Sequence, residues 1–195
     1  MEQRPRFVPG SPCKADLHGD IHFYRTPGTF VYSIHPKTLG AVAVVSIGLF
    51  PLADPLLYNA WSGAIQSVLG QPLPSSTLAS QLLEAQARGD GASLMLHGLA
   101  TCVIGPIWEE TFWRGFFLAA LTKVLPLPLC VGSSSAMFAV LHLNAPSALP
   151  IFVVSTLCDS VYLRSASLAA PLCVHMLFNT YEVVCILAGV KDTFV

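Results

Sequence analysis

The sequence has few charged side chains. Asp, Glu, Lys and Arg make up 11% of its 195 residues, whereas a typical soluble domain carries about 25%. Ten basic and eleven acidic residues leave a net charge of -1, so the chain offers no excess positive charge to the phosphates of a nucleic acid. Because 53% of the residues are hydrophobic, a disordered chain is excluded as well. The composition therefore indicates a protein embedded in a membrane, with no nucleic-acid partner.

The cysteines form no recognisable framework. They include no CxxC pair, and five of the six lie inside apolar runs. We predict that they are small packing residues, because neither a disulfide framework nor a zinc motif has this spacing. The six positions are Cys13, Cys102, Cys130, Cys158, Cys173 and Cys185.

The start of the sequence is not expected to be a targeting signal. A secretory signal peptide needs an apolar stretch of about 7–15 residues, and residues 1–40 contain none of that length. Three acidic residues argue against a transit peptide, and several prolines discourage regular structure. We predict a polar arm over residues 1–38 that lies outside the membrane and includes His18, His22 and His35.

The chain then becomes apolar. Residues 39–61 are long enough to form a first membrane helix, which we expect Pro51 and Pro55 to kink or break. Residues 62–91 return to polarity and are predicted to be an extramembrane loop. Within this loop, residues 77–88 have the pattern of a short amphipathic helix lying outside or upon the bilayer.

The remaining residues, 92–190, contain further apolar segments separated by Pro, Gly, Asn, Ser or Arg. We expect Gly105-Pro106 to end one segment and to begin a new helix, because proline suits a first helical turn. The pattern predicts an all-α fold, a multi-pass transmembrane bundle of about five to six helices. Loop charges are too sparse to orient it. The segments are 92–104, 106–125, 129–143, 149–163 and 167–187.

Charged residues inside an apolar helix are functional candidates. An ionised side chain at mid-bilayer costs roughly 2.5–3.5 kcal/mol on insertion scales, so Glu109, Glu110 and Arg114 must face protein or water. Glu110 and Arg114 are four residues apart and share a helical face, which suits an ion pair. Glu109 is rotated about 100° from its neighbour. The spacing therefore predicts a structural role for Glu110 and a chemical role for Glu109.

Two later helices carry polar groups at the same spacing. Phe138 and His142 are four residues apart in one segment, and His175 and Asn179 are four apart in the last. Side chains at this spacing point the same way, so three helices offer polar groups to one bundle core. A histidine without a second polar group at helical spacing is more often a hydrogen-bonded packing residue. His97 has no such group, and we assign that role to it.

Two more acids lie in apolar segments. We interpret Asp54 as an acid at a helix break or an interface, and Asp159 as the partner of a nearby hydrogen-bond donor.

Three motifs in order resemble those of a known family. WEETFWRG is similar to an EExxxR motif, FAVLH to FxxxH and HMLFN to HxxxN. This set resembles the CAAX-protease and bacteriocin-processing family, the Rce1-like or Abi intramembrane proteases. The similarity covers roughly residues 94–189. Outside that range the sequence departs from the longer members of the family, which carry more helices in front.

The resemblance implies an intramembrane endopeptidase that acts on a hydrophobic or prenylated CAAX-type protein. In such a site Glu109 would be the general base for water, assisted by His142. His175 and Asn179 would stabilise the oxyanion, while Glu110, Arg114 and Phe138 support the site. The alternative is a non-proteolytic membrane scaffold of the same fold that stabilises or regulates another membrane protein.

Neither the cofactor nor the membrane is fixed by the sequence. Glu109, His142 and His175 could ligate zinc with an open water position, but there is no HExxH motif and Asn179 is a poor ligand. We expect no obligatory cofactor. The stretch of residues 142–155 is most similar to plastid and cyanobacterial members, which favours a chloroplast membrane over endoplasmic reticulum or a bacterial inner membrane.

Overall fold

A computed structural model of the protein describes residue 32 and residues 35–70 and 77–190. Most of the predicted polar arm, including Cys13, His18 and His22, lies outside the described residues. The described part folds into six helices, which confirms the all-α prediction. They are α1 (Pro36–Leu69), α2 (Thr77–Ala87), α3 (Gly91–Leu121), α4 (Leu127–Leu141), α5 (Ala148–Ser165) and α6 (Ala169–Leu187), with a single 3₁₀ turn, Ala145–Ser147, before α5.

Helix α1 is longer than the sequence pattern indicates. It runs unbroken through Pro51 and Pro55 to Leu69, so residues 62–69 are helical and do not belong to a loop. At 1.5 Å per residue its length is about 51 Å, more than a bilayer core needs. Prolines are tolerated in membrane helices because neighbouring groups satisfy the backbone carbonyls that they leave without a donor. The helix ends at Gly70, which adopts a left-handed conformation with φ 68°.

Helix α2 confirms the predicted amphipathic helix but uses its apolar face within the protein. Ala79, Leu82 and Ala85 are buried, and the cluster that contains Leu82 also contains residues of α6. The Gln86 amide donates a hydrogen bond of 3.0 Å to the carbonyl of Leu187, at the last turn of α6. The apolar face of α2 therefore covers the end of α6 and not the lipid.

Helix α3 is continuous, so the expected break at Gly105-Pro106 is wrong. Its first turn is capped by Asp90, whose carboxylate accepts from the Ser93 N–H at 3.0 Å. The segment before Pro106 forms a π-helical turn, Ala100–Ile104, in which the Gly105 N–H reaches back five residues to the Ala100 carbonyl. This wider turn admits a proline that would clash in a regular α-helix.

Helix α6 lies at the centre of the bundle. It packs against α1, α2, α3 and α5, while α4 packs mainly on α5. Four helices (α1, α3, α6 and the 145–165 segment that contains α5) are long and apolar enough to cross a membrane, and α4 is a shorter apolar helix. The protein is therefore an integral membrane protein. The five described cysteines are free, and two of them, Cys130 and Cys158, are buried.

The docking of α2 can be tested with two adjacent leucines. Leu82 is 1% exposed and Leu83 is 37% exposed. We expect Leu82→Ala to lower the free energy of unfolding by about 2–5 kcal/mol, because it leaves a cavity. Leu83→Ala is the matched control and should change little. Thermal unfolding in detergent measures both, and an equal loss for the two variants would contradict packing of α2 on α6.

Candidate active site

The guanidinium of Arg114 is the centre of a buried polar cluster. The residue is 0% exposed on α3 and lies between two carboxylates, 3.0 Å from Glu110 Oε1 and 3.0 Å from Asp159 Oδ1. Its remaining nitrogen donates to the hydroxyl and to the carbonyl of Ser155, both at 2.8 Å. The predicted Glu110–Arg114 pair is therefore present, and it is one half of a larger network.

The second carboxylate comes from a different helix. Asp159 on α5 forms an ion pair with Arg114 and accepts a hydrogen bond of 3.0 Å from the Ser135 hydroxyl on α4. The prediction that Asp159 is the partner of a nearby donor is confirmed. Ser155 was not predicted, although Ser155 and Asp159 are four residues apart, the same spacing that marks the other site pairs.

His175 joins this cluster to Glu109, the acid that precedes Glu110 on α3. Its Nδ1 lies 2.8 Å from Glu110 Oε1, and a carboxylate only accepts, so the ring donates from Nδ1. The other nitrogen, Nε2, faces Glu109 Oε2 at 3.6 Å. That distance exceeds a direct hydrogen bond.

The two adjacent glutamates have different surroundings. The Glu110 side chain is 2% exposed and holds both Arg114 and His175, whereas the Glu109 side chain is 32% exposed. The 100° rotation between neighbours on a helix accounts for the difference. Of these two acids, Glu109 is the one whose carboxylate solvent can reach.

His142 lies at the end of α4, where the helix stops. Its Nδ1 is 2.7 Å from the Phe138 carbonyl, so Nδ1 carries a proton and Nε2 is left as an acceptor. The Phe138 ring packs between the polar groups, with centroid distances of 4.5 Å to His142 and 6.0 Å to His175. The Arg114 guanidinium lies 5.2 Å from the same ring. Phe138 therefore packs α4 against the site, as predicted.

A small cleft brings three of the four predicted catalytic residues together. Its volume is about 20 Å³, which is room for one water. Asn179 in its wall donates from Nδ2 to the Thr101 carbonyl on α3 at 2.9 Å. Glu109 lies beside the cleft through its 3.6 Å approach to His175. The lining residues are Phe138, His142, Ile151, Val154, His175, Phe178 and Asn179.

Helix α1 also contributes to this region. The Trp61 indole N–H donates at 2.8 Å to the Ala145 carbonyl, in the turn that follows His142. Phe50 packs edge-on against Phe178 at 4.9 Å between centroids. Sequence reasoning missed both residues, since nothing in their spacing links them to the later motifs.

The other polar candidates lie outside the cluster. His97 Nδ1 is 2.8 Å from the Ser93 carbonyl of its own helix, which confirms a hydrogen-bonded packing residue. His35 accepts from the Lys37 N–H at the start of α1. Asp54 is buried within continuous α1, so it does not mark a helix break. It lines an apolar groove between α1, α5 and α6, which fits the alternative of an acid at an interface.

The residues that could ligate zinc do not converge. In the part of the chain that the structure describes, no three His, Cys, Asp or Glu side chains are grouped so that they could hold one metal ion. Of the three candidate ligands, Glu109 and His175 lie 3.6 Å apart. His142 does not complete a set of three, so this arrangement does not fit a zinc site with three protein ligands.

Residues 91–181 match the family model described as type II CAAX prenyl endopeptidase Rce1-like. This segment is therefore similar to the Rce1-like family. It includes α3, with both glutamates and Arg114, and it reaches past Asn179 on α6. The match indicates a peptidase in general. No curated protein and no solved structure matches the chain.

The buried cluster predicts which substitutions unfold the Rce1-like segment. Glu110→Gln and Asp159→Asn each remove one carboxylate from a buried cation, and Arg114→Ala leaves two carboxylates without it. Breaking a buried ion pair costs about 3–5 kcal/mol, so each variant should unfold at lower temperature in detergent. Glu109→Gln should unfold close to the wild type. A larger loss for Glu109→Gln than for Glu110→Gln would contradict the division between the two acids.

Proposed function

We propose that the protein is an intramembrane endopeptidase that hydrolyses a peptide bond in a membrane-associated, prenylated CAAX-type protein. In this proposal water is the nucleophile and Glu109 is the general base. The family match supports peptidase activity. The mechanism and the substrate are our proposal.

One observation carries the mechanism. Of two adjacent glutamates, Glu110 is committed to Arg114 and His175, whereas Glu109 is partly exposed beside a cleft with room for one water. A partly exposed carboxylate that is not paired with the buried guanidinium suits a general base for water. Glu109 is the residue in the cluster that meets this description.

Glu109 and His142 account for the proton transfers and the water orientation that hydrolysis requires. Glu109 takes a proton from water, and the resulting hydroxide attacks the carbonyl carbon of the peptide bond. His142 orients this water through Nε2, since its Nδ1–H is occupied by the Phe138 carbonyl. The proton on Glu109 then passes to the leaving amine nitrogen as the C–N bond breaks. The products are a carboxylate and an amine.

The tetrahedral oxyanion needs hydrogen-bond donors aimed at it. Asn179 has two amide protons, one of which faces Thr101, and we assign the second to the oxyanion. His175 donates from Nε2 in its doubly protonated form, in which each ring nitrogen faces a carboxylate. Both side chains line the cleft.

The membrane is part of the proposal. The four membrane-length helices support an integral location, and we assign the protein to a chloroplast membrane because residues 142–155 are similar to plastid members of the family. Detection of the chain in fractionated chloroplast membranes tests this assignment, and recovery only from endoplasmic reticulum or a bacterial inner membrane would contradict it.

The role of Glu109 is tested by an isosteric change. Glu109→Gln removes the base, and general-base catalysis contributes about 10²–10⁴-fold. We expect a loss of that size in kcat for cleavage of a farnesylated peptide with a CAAX terminus, at an unchanged protein level. Glu84→Gln is the matched control, because Glu84 is an exposed residue paired with Arg88 on α2.

The same variant separates the enzyme from a scaffold. A scaffold of this fold depends on its surface and not on the Glu109 carboxylate, so Glu109→Gln should then preserve the biological effect in cells. An enzyme loses the effect while the protein accumulates normally. Wild-type cleavage by Glu109→Gln would overturn the proposed mechanism.

The cofactor is tested by chelation. We expect exhaustive dialysis against 1,10-phenanthroline and EDTA to leave cleavage of the farnesylated peptide unchanged, because the described residues offer no set of three ligands. Zinc content of the purified protein is measured in parallel. Activity that disappears on chelation and returns with zinc would show that the metal is required.

A further inference from the structure

Helix α3 has two π-helical stretches, Ala100–Ile104 and Thr111–Phe117, and the first of them leaves one backbone carbonyl without its helical donors. In a regular helix the Thr101 carbonyl would accept from the N–H of residue 105, and in a π-helix from that of residue 106. Here the Gly105 N–H goes to Ala100, and Pro106 has no N–H. The sequence Gly105-Pro106 therefore frees the Thr101 carbonyl for a partner outside the helix.

That partner is the amide of Asn179, which donates to the Thr101 carbonyl at 2.9 Å. Four residues earlier on α6, His175 donates to Glu110 and faces Glu109 on the same α3. One face of α6 therefore contacts α3 at two positions: Asn179 binds Thr101, before Pro106, and His175 binds Glu110, after it.

The π-helical turn Ala100–Ile104 also requires a small residue at position 105. A Cβ atom on Gly105 would lie 3.1 Å from the Ala100 carbonyl oxygen, closer than most side-chain contacts allow. Glycine at this position permits the close approach of the two backbone segments. π-helical turns of this kind are frequent at functional sites, and Glu109 follows Pro106 by three residues.

We propose that Asn179 is a positioning residue as well as an oxyanion donor. Its amide replaces the N–H that Pro106 lacks and holds the π-helical turn of α3. In this way it fixes the direction from which α3 presents Glu109 to the cleft. The effect on turnover rests on the proposed function, whereas the hydrogen bond to Thr101 does not.

A double-mutant cycle between Pro106 and Asn179 tests the proposal. Pro106→Ala restores a backbone N–H that the Thr101 carbonyl can accept. In the wild-type background we expect Asn179→Ala to lower Tm by about 2–4 °C and to lower kcat for the farnesylated peptide with KM unchanged. In the Pro106→Ala background both losses should be smaller, because the Thr101 carbonyl has a donor again.

The control uses another proline. Pro128 lies in the first turn of α4, so Pro128→Ala should not change the effect of Asn179→Ala. If Asn179→Ala alone cannot be purified, the Pro106→Ala/Asn179→Ala protein should still be recovered, and failure of both would overturn the proposal.

The remaining outcomes separate the two claims. Equal Tm losses for Asn179→Ala in both backgrounds would overturn the positioning role. Coupling in Tm without any recovery of kcat would also overturn it, because the turn would then not affect Glu109. If the wild type cleaves no peptide, the proposed function fails, and the coupling in Tm still decides whether Asn179 holds the turn.

Discussion

The buried guanidinium of Arg114 is the constraint on which the rest of the site depends. A cation without exposure to solvent inside an apolar bundle is costly unless opposite charge and hydrogen bonds surround it. Glu110 supplies one carboxylate from α3 and Asp159 supplies the other from α5. Because Glu110 also accepts from His175 on α6, three helices are fixed around one charge. The same interactions that satisfy Arg114 set the orientation of the His175 ring.

This arrangement divides two adjacent acids between structure and chemistry. Glu110 contacts both Arg114 and His175 and is buried, while Glu109 is partly exposed beside the cleft. Neither acid could exchange roles with the other without turning α3 by about 100°. The contact between Asn179 and Thr101 opposes such a rotation, since it ties α6 to the turn that precedes both glutamates. Rigid support of this kind is what a preorganised site requires.

Local sequence patterns predicted the contacts within one helix, whereas the contacts between helices depend on tertiary packing. The four-residue spacing of Glu110 and Arg114 predicted their ion pair correctly, because both residues lie on one helix. The sequence could not show that Asp159 would share Arg114, since that contact joins residues far apart in the chain. The expected break at Gly105-Pro106 was wrong for a similar reason. A hydrogen bond from α6 and a wider turn keep α3 continuous, and neither leaves a signal in local periodicity.

The separation of the two acids is the central claim, and chemical labelling of carboxylates tests it most directly. Dicyclohexylcarbodiimide is apolar and enters membranes, where it modifies accessible carboxyl groups. Mass spectrometry of the folded protein in detergent should show modification of Glu109 in step with loss of peptide cleavage. Glu110 and Asp159 should stay unmodified until the protein unfolds. Modification of Glu110 as fast as that of Glu109, or full labelling of Glu109 without loss of cleavage, would contradict the account.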